Sequence, residues 1–264
     1  MISTATVLRQ LELWRSFTAR ELKTRYLGSI SGAAWVFIHP AVLLLLYSFL
    51  LTVVFQTRMQ GVAAQQVVAH VAIGLWPWLM FSEGLQRATG SLQENSPLLG
   101  KVSVPSHLLV LASLSATFLL HCVGYLFVIA LMAGLDMGIE LSGVVVVLPL
   151  LIMLFGLCAG LVLMLAPLQI FVRDLAQVLA QVLAFMFFLT PVLYGKSQLP
   201  EGMHFWMSLN PLSFYIEHAR TALLTGEHGP EPGGVLLALL LVALSLALGI
   251  GLFRRLRGHL EDFL

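Results

Sequence analysis

Side chains able to do chemistry are few in this chain of 264 residues, and none stand at reactive spacing. Gly195-Lys196-Ser197 copies the tail of a phosphate-binding loop. That loop needs a glycine at position 190, where Thr190 stands, and a strand-to-helix turn, so the chain carries no P-loop. The histidines (His39, His70, His107, His121, His204, His218, His228 and His259) are scattered, and none has a partner at metal-ligand spacing. Cys122 and Cys158 lie inside apolar runs and read as small buried hydrophobes. Gly28-Ser29-Ile30-Ser31-Gly32 has its serines at the wrong offsets for a nucleophile elbow. It reads instead as small-residue packing or a bend, as does the pair Gly156 and Gly160. Glu83 and Arg87 form an i,i+4 pair in the favourable order and neutralise each other as a structural pair. No catalytic constellation, metal site or cofactor site is expected.

The elements around these residues are apolar. The composition is 59% hydrophobic and 10% charged, with a net charge of +1. Soluble domains average about 45–50% apolar residues even with glycine counted, and about 25% charged. Too few charges remain to cover a water-facing surface, so the expected fold is an all-α polytopic membrane protein forming one domain over 1–264. Continuous apolar runs exclude an outer-membrane barrel, which alternates. A near-zero net charge supplies no field for nucleic acid.

Residues 4–26 place Val7, Leu8, Leu11, Trp14, Leu22 and Tyr26 on one helical face and Arg9, Glu12, Ser16, Arg20 and Lys23 on the other. That is an amphipathic helix lying on the membrane, with Arg15 and Arg25 near the apolar face and obliged to snorkel. Six spans follow, near 33–56, 66–88, 107–134, 143–168, 175–194 and 234–253, with Pro40 predicting a kink in the first. Between spans five and six, residues 196–230 hold short apolar pieces broken by prolines. They are too short to cross and read as re-entrant external helices. With a cytoplasmic N-terminus, Arg9, Arg15, Arg20, Lys23, Arg25, Arg87, Lys101, Arg173, Arg254, Arg255 and Arg257 are inside. Only Arg58, Lys196 and Arg220 are outside. This places both termini in the cytoplasm. The segment Glu94 to Pro105 is too long for a tight turn. A short helix there, bounded by Pro97 and Pro105, would expose Leu98, Leu99 and Val102 to a partner.

Several runs together resemble the permease subunits of ABC exporters for O-antigen and capsular polysaccharide. They are Arg20 to Ser29 with Gly32, Trp35 and Pro40; Gly74-Leu75-Trp76-Pro77-Trp78 with Phe81-Ser82; and Asn95 to Pro105. Phe171-Val172-Arg173-Asp174, Thr190-Pro191-Val192-Leu193-Tyr194 and Asn210-Pro211-Leu212 complete the set. The resemblance covers nearly the whole chain, in order. Leu27 stands where Lys is frequent, and His39 precedes Pro40 where an aliphatic is usual. The resemblance implies a homodimer in the bacterial inner membrane, served by two separate ATPase subunits that hold the ATP and Mg. It makes 94–105 the coupling helix, with Glu94, Asn95, Leu98, Leu99, Lys101 and Val102 as the ATPase-coupling residues. It makes 4–26 an interface helix and 196–230 the external re-entrant helices guarding the exit.

The implied substrate is a polysaccharide on a polyprenyl-pyrophosphate carrier. Its sugars would slide over aromatic faces, for which Phe37, Tyr47, Phe185, Phe188, Tyr194 and Trp206 are candidates. Its pyrophosphate needs cations, for which Arg20, Lys23 and Arg25 are candidates. Two other readings keep part of this picture. A type-2 ABC permease for a small drug or lipid shares the architecture but needs fewer aromatics. An ion-driven secondary transporter expects ionisable residues at the midplane and an internal repeat.

Overall fold

A computed structural model describes residues 4–25, 34–54, 64–99, 105–195, 198–200, 202, 205, 207, 209–226, 229 and 231–259. Among the described residues no strand occurs. The helices are α1 (Thr4–Thr24), α2 (Trp35–Phe49), α3 (Ala64–Glu94), α4 (Ser96–Leu99) and α5 (Ser106–Gly134). They continue with α6 (Val144–Phe171), α7 (Leu175–Leu189), α8 (Pro211–Arg220) and α9 (Pro232–Leu256). A π-helical turn extends α2 over Leu50–Val54, and another extends α8 over Thr221–Thr225. Pro211 and Pro232 sit in the first turns of α8 and α9, where a missing N–H costs nothing. Gly226 closes the α8 extension at φ 69°, a left-handed conformation that suits glycine.

Four segments are long and apolar enough to cross a membrane: Phe37–Val54, Ser106–Gly134, Leu141–Phe171 and Pro232–His259. The other two expected spans differ in kind. α3 has 31 residues but carries Glu83, Arg87 and Glu94 in its second half. α7 has 15 residues and stops at Leu189, where the expected span ran on to 194. At about 1.5 Å per residue it is shorter than a hydrocarbon core of about 30 Å.

α3 is the central helix. Every residue from Val71 to Ser82 is buried. A helix apolar on all sides is stable only when neighbours surround it, and α2, α5, α6, α7 and α8 all pack on α3. Trp76 stacks on Tyr125 of α5 at 6.2 Å, and the Tyr125 hydroxyl donates to the Ile73 carbonyl at 3.1 Å. Pro40 lies buried inside α2 and Pro77 inside α3. α6 and α9 pack backbone to backbone. A Cβ at Gly249 would stand 2.2 Å from the Gly160 carbonyl oxygen, and one at Gly160 2.3 Å from the Ser245 carbonyl carbon. Gly156 and Gly160 therefore serve close helix packing, the small-residue arrangement expected where lipid supplies no hydrophobic drive.

Candidate functional site

Polar contacts gather near both ends of α3, at His70 and at Asn95. At one end α1 crosses the start of α5. Trp14 Nε1 donates to Ser115 Oγ at 3.2 Å, and Thr18 is buried beneath the same crossing. Val7, Leu8 and Leu11 remain exposed. Arg20 lies over the Phe17 ring and donates to Asn95 Oδ1, so α1 is tied to the segment that opens α4. Asn95 in turn donates to the Ser91 carbonyl at 2.8 Å, which fixes its amide at the end of α3. Lys23 is exposed on the same helix.

Arg25 is placed differently from a snorkelling residue. Its side chain is 9% exposed, pairs with Glu21 at 3.4 Å, and donates to the Ser113 carbonyl at 3.0 Å. An apolar cavity of about 630 Å³ runs beside α1, between Trp14, Leu22, Phe118, Leu151, Ile152 and Phe155, with Arg15 at its rim. Of the expected coupling residues, Glu94 is exposed and Leu99 packs against the chain's own core. The α4 helix is a single turn at Ser96–Leu99, with Pro97 inside it. Lys101 and Val102 lie outside the described residues, as do Tyr26 to Gly32 and the side chain of Leu98.

Glu83 has more partners than the i,i+4 spacing indicates. His121 Nε2 of α5 is the nearest at 3.3 Å, while Arg87 Nε and His39 Nε2 of α2 both stand at 3.9 Å. The carboxylate thus joins three helices, and Arg87, half exposed, is a secondary partner. Sequence spacing along α3 reveals Arg87 but not the two histidines, which arrive from other helices.

At the opposite end, two of the sequence motifs meet, Thr190 to Tyr194 and Asn210 to Leu212. α7 stops at Leu189, and Thr190-Pro191-Val192-Leu193-Tyr194 turns away with its carbonyls outside any helix. Such carbonyls need donors wherever water is scarce. Asn210 holds the start of the segment. Its Nδ2 donates to Thr190 Oγ1 at 2.8 Å, while its Oδ1 accepts from Leu212 N and caps α8. Arg220 supplies the donors to the carbonyls. Its Nη1 donates to the Pro191 and Tyr194 carbonyls at 2.6 and 3.0 Å, and its Nη2 to Val192 at 2.6 Å. Its Nε donates to the His70 carbonyl of α3 at 3.1 Å. Arg220 is 5% exposed, and among the described residues no carboxylate pairs with it.

The sequence assigns Arg220 to the outside as a topology marker, whereas the structure buries it as a fourfold carbonyl donor. The available signal was an arginine inside a thirteen-residue apolar stretch. The extension of α8 is itself held down, because Glu140 N donates to the Leu223 carbonyl at 2.8 Å.

The aromatic candidates do not form one track. Tyr47 of α2 stacks on Phe187 of α7 at 5.3 Å, whereas Phe37 packs edge-on against Phe127 of α5. Phe185 and Phe188 are 67% and 70% exposed on the outer face of α7. The Tyr194 hydroxyl donates to the Phe188 carbonyl at 2.8 Å. Trp206 lies outside the described residues.

Comparison with known proteins converges on one assignment. Residues 12–224 match the family model of the ABC-2 type transporter. The chain is 30% identical over 213 residues to the O-antigen export system permease protein RfbA of Myxococcus xanthus, covering 78% of this chain and 79% of that protein. A protein of the same name from Klebsiella pneumoniae is 24% identical over 255 residues, covering 94% of this chain and 93% of the other. The match over most of the length, together with four helices long and apolar enough to cross a membrane, settles the question: the chain belongs to the ABC-2 type transporter family and is a multi-pass membrane protein.

Proposed function

We propose that the chain is the transmembrane subunit of an ATP-driven exporter that moves a polyprenyl-pyrophosphate-linked polysaccharide, of O-antigen or capsule type, across the bacterial inner membrane. The observation that carries this reading is the Arg20–Asn95 bond, which joins the surface helix α1 to the α4 turn at the foot of α3. A partner pressing on α4 would move α1 and α3 together. The names of the relatives supply the cargo class. In this reading the chain spans the membrane six times, with α3 and α7 as spans two and five. The α1 and α4 end and both termini face the cytoplasm, and the segment around α8 is re-entrant at the outer face.

Two ATPase subunits hold ATP and Mg, while this chain supplies the docking surface through Glu94, Leu98, Lys101 and Val102. A second copy would cover the outer faces of α2 and α7. Only 11% of the α2 span is buried within one chain, and Val178, Val182, Phe185 and Phe188 are exposed on α7. Such a homodimer sets Phe185 and Phe188 along a path between copies, with Tyr47 and Tyr194 nearer its outer end. Lys23 is the best-placed cation for the pyrophosphate, with Arg20 beside it, because Arg25 is already engaged inside the fold.

The test is deletion of the gene in its host with complementation. Lipid-linked polysaccharide should accumulate on the cytoplasmic side and the surface polymer should disappear. Leu98→Asp should leave the subunit in the membrane but lose the co-purifying ATPase. Normal surface polymer in the deletion strain would contradict the reading.

A further inference from the structure

The cluster at the α8 end does more than satisfy loose carbonyls. Arg220 bonds to two bodies at once. Three of its bonds hold the 190–194 segment, and the fourth holds His70 of α3. From His70 to Glu94, α3 runs as one unbroken helix, about 36 Å long at 1.5 Å per residue. Its far end carries Asn95 and α4. A guanidinium is suited to this position because its fork presents several donors in fixed directions, which a lysine ammonium cannot do.

The site is built to admit it. Gly74 lies one turn along α3 from His70, and its missing side chain leaves the channel through which Arg220 reaches the carbonyls. Asn210 and Thr190 close the opposite flank of the same segment.

Resting on the exporter reading above, we infer that Arg220 is a positioning residue for export: it locks the 190–194 segment to α3, so that the outer end of the path moves as one body with the helix that receives the ATPase stroke. The segment leaves α7 after Thr190, whose N–H still donates to the Met186 carbonyl, so a movement of α3 reaches the residues beyond it through contacts. Among the described residues, the side-chain hydrogen bonds from the α8 region to 190–194 come from Arg220 and Asn210. Loss of this lock should leave ATP hydrolysis running while the exit fails to follow it.

The experiment compares Arg220→Lys and Thr190→Val with wild type in the full permease–ATPase complex, in cells making their own lipid-linked polysaccharide. Arg220→Lys keeps the charge and loses the fork. Thr190→Val keeps the shape and loses the acceptor for Asn210, and it is the second test where the lysine variant fails to accumulate. Surface polymer and ATP hydrolysis are both measured per assembled complex. The expected result is a fall in polymer exported per ATP of about tenfold for Arg220→Lys, the change in an equilibrium that one charge-assisted hydrogen bond makes. Thr190→Val should show a smaller fall in the same direction. Polymer and hydrolysis falling in step, or polymer per ATP staying at the wild-type value in both variants, would overturn the proposal. A wild-type complex that hydrolyses ATP but exports no polymer would instead overturn the exporter reading, and the proposal with it.

Discussion

Gly74 and Arg220 compete for one volume: a Cβ at Gly74 would stand 2.5 Å from Arg220 Nη2 and 3.0 Å from the Val192 carbonyl oxygen. The contact joins a glycine of the Gly74-to-Trp78 run to an arginine nearly 150 residues away in sequence. Gly74→Ala should therefore expel the guanidinium from its carbonyls, although alanine is the better helix former. The expected cost is about 1–3 kcal/mol for overpacking. A lower melting temperature of the purified complex checks it. An unchanged melting temperature would mean that the guanidinium has room to move.

The α6–α9 contact supplies a paired prediction on one helix. Gly249 faces the Gly160 carbonyl at a separation no Cβ tolerates, while Gly251 meets nothing within 4 Å. Gly249→Ala should reduce folded protein in the membrane, at the upper end of the overpacking range of about 1–3 kcal/mol, because the obstacle is backbone. Gly251→Ala should be neutral or stabilising, by up to about 1 kcal/mol, since alanine is favoured over glycine in a helix. Thermal melting of the two variants side by side reads the difference.

The tie between α1 and the foot of α3 is testable as a coupling. Arg20→Ala, Asn95→Ala and the double variant should be non-additive, with an interaction energy of about 0.5–3 kcal/mol. Denaturant unfolding in detergent measures it. Additive effects would mean that the two residues act separately.

Two cations two residues apart should behave differently. Lys23 is exposed, and Arg25 is held by Glu21 and the Ser113 carbonyl. Lys23→Ala should weaken the stimulation of ATP hydrolysis by lipid-linked substrate without changing the melting temperature. Arg25→Ala should lower the melting temperature, because a buried acceptor and a carboxylate each lose a donor, at about 1–3 kcal/mol apiece.

Much of the helical layout is readable in the sequence. Apolar runs marked α2, α5, α6 and α9 to within a few residues, because in these helices composition and length suffice. The short apolar piece from Leu212 to Leu224 lies in α8 and its extension. What was not legible were relationships between helices. Arg220 looked like a topology marker because its ligands are backbone carbonyls, which no sequence pattern displays. Glu83 was paired with Arg87 because the two are neighbours on one helix, whereas His121 and His39 come from α5 and α2. Arg25 was set near a lipid face because a helical wheel cannot show that α5 covers that face. Phe37 and Tyr47 were grouped by residue type and position, yet they pack on different neighbours.

The most direct measurement is vectorial transport in proteoliposomes holding this chain and its ATPase, with lipid-linked polysaccharide added on the ATPase side. The account predicts that, on addition of ATP, the sugar chain becomes inaccessible to an external lectin as polymer enters the lumen, and that it stays accessible with a non-hydrolysable nucleotide. Polymer remaining fully accessible while ATP is hydrolysed at the wild-type rate would contradict it.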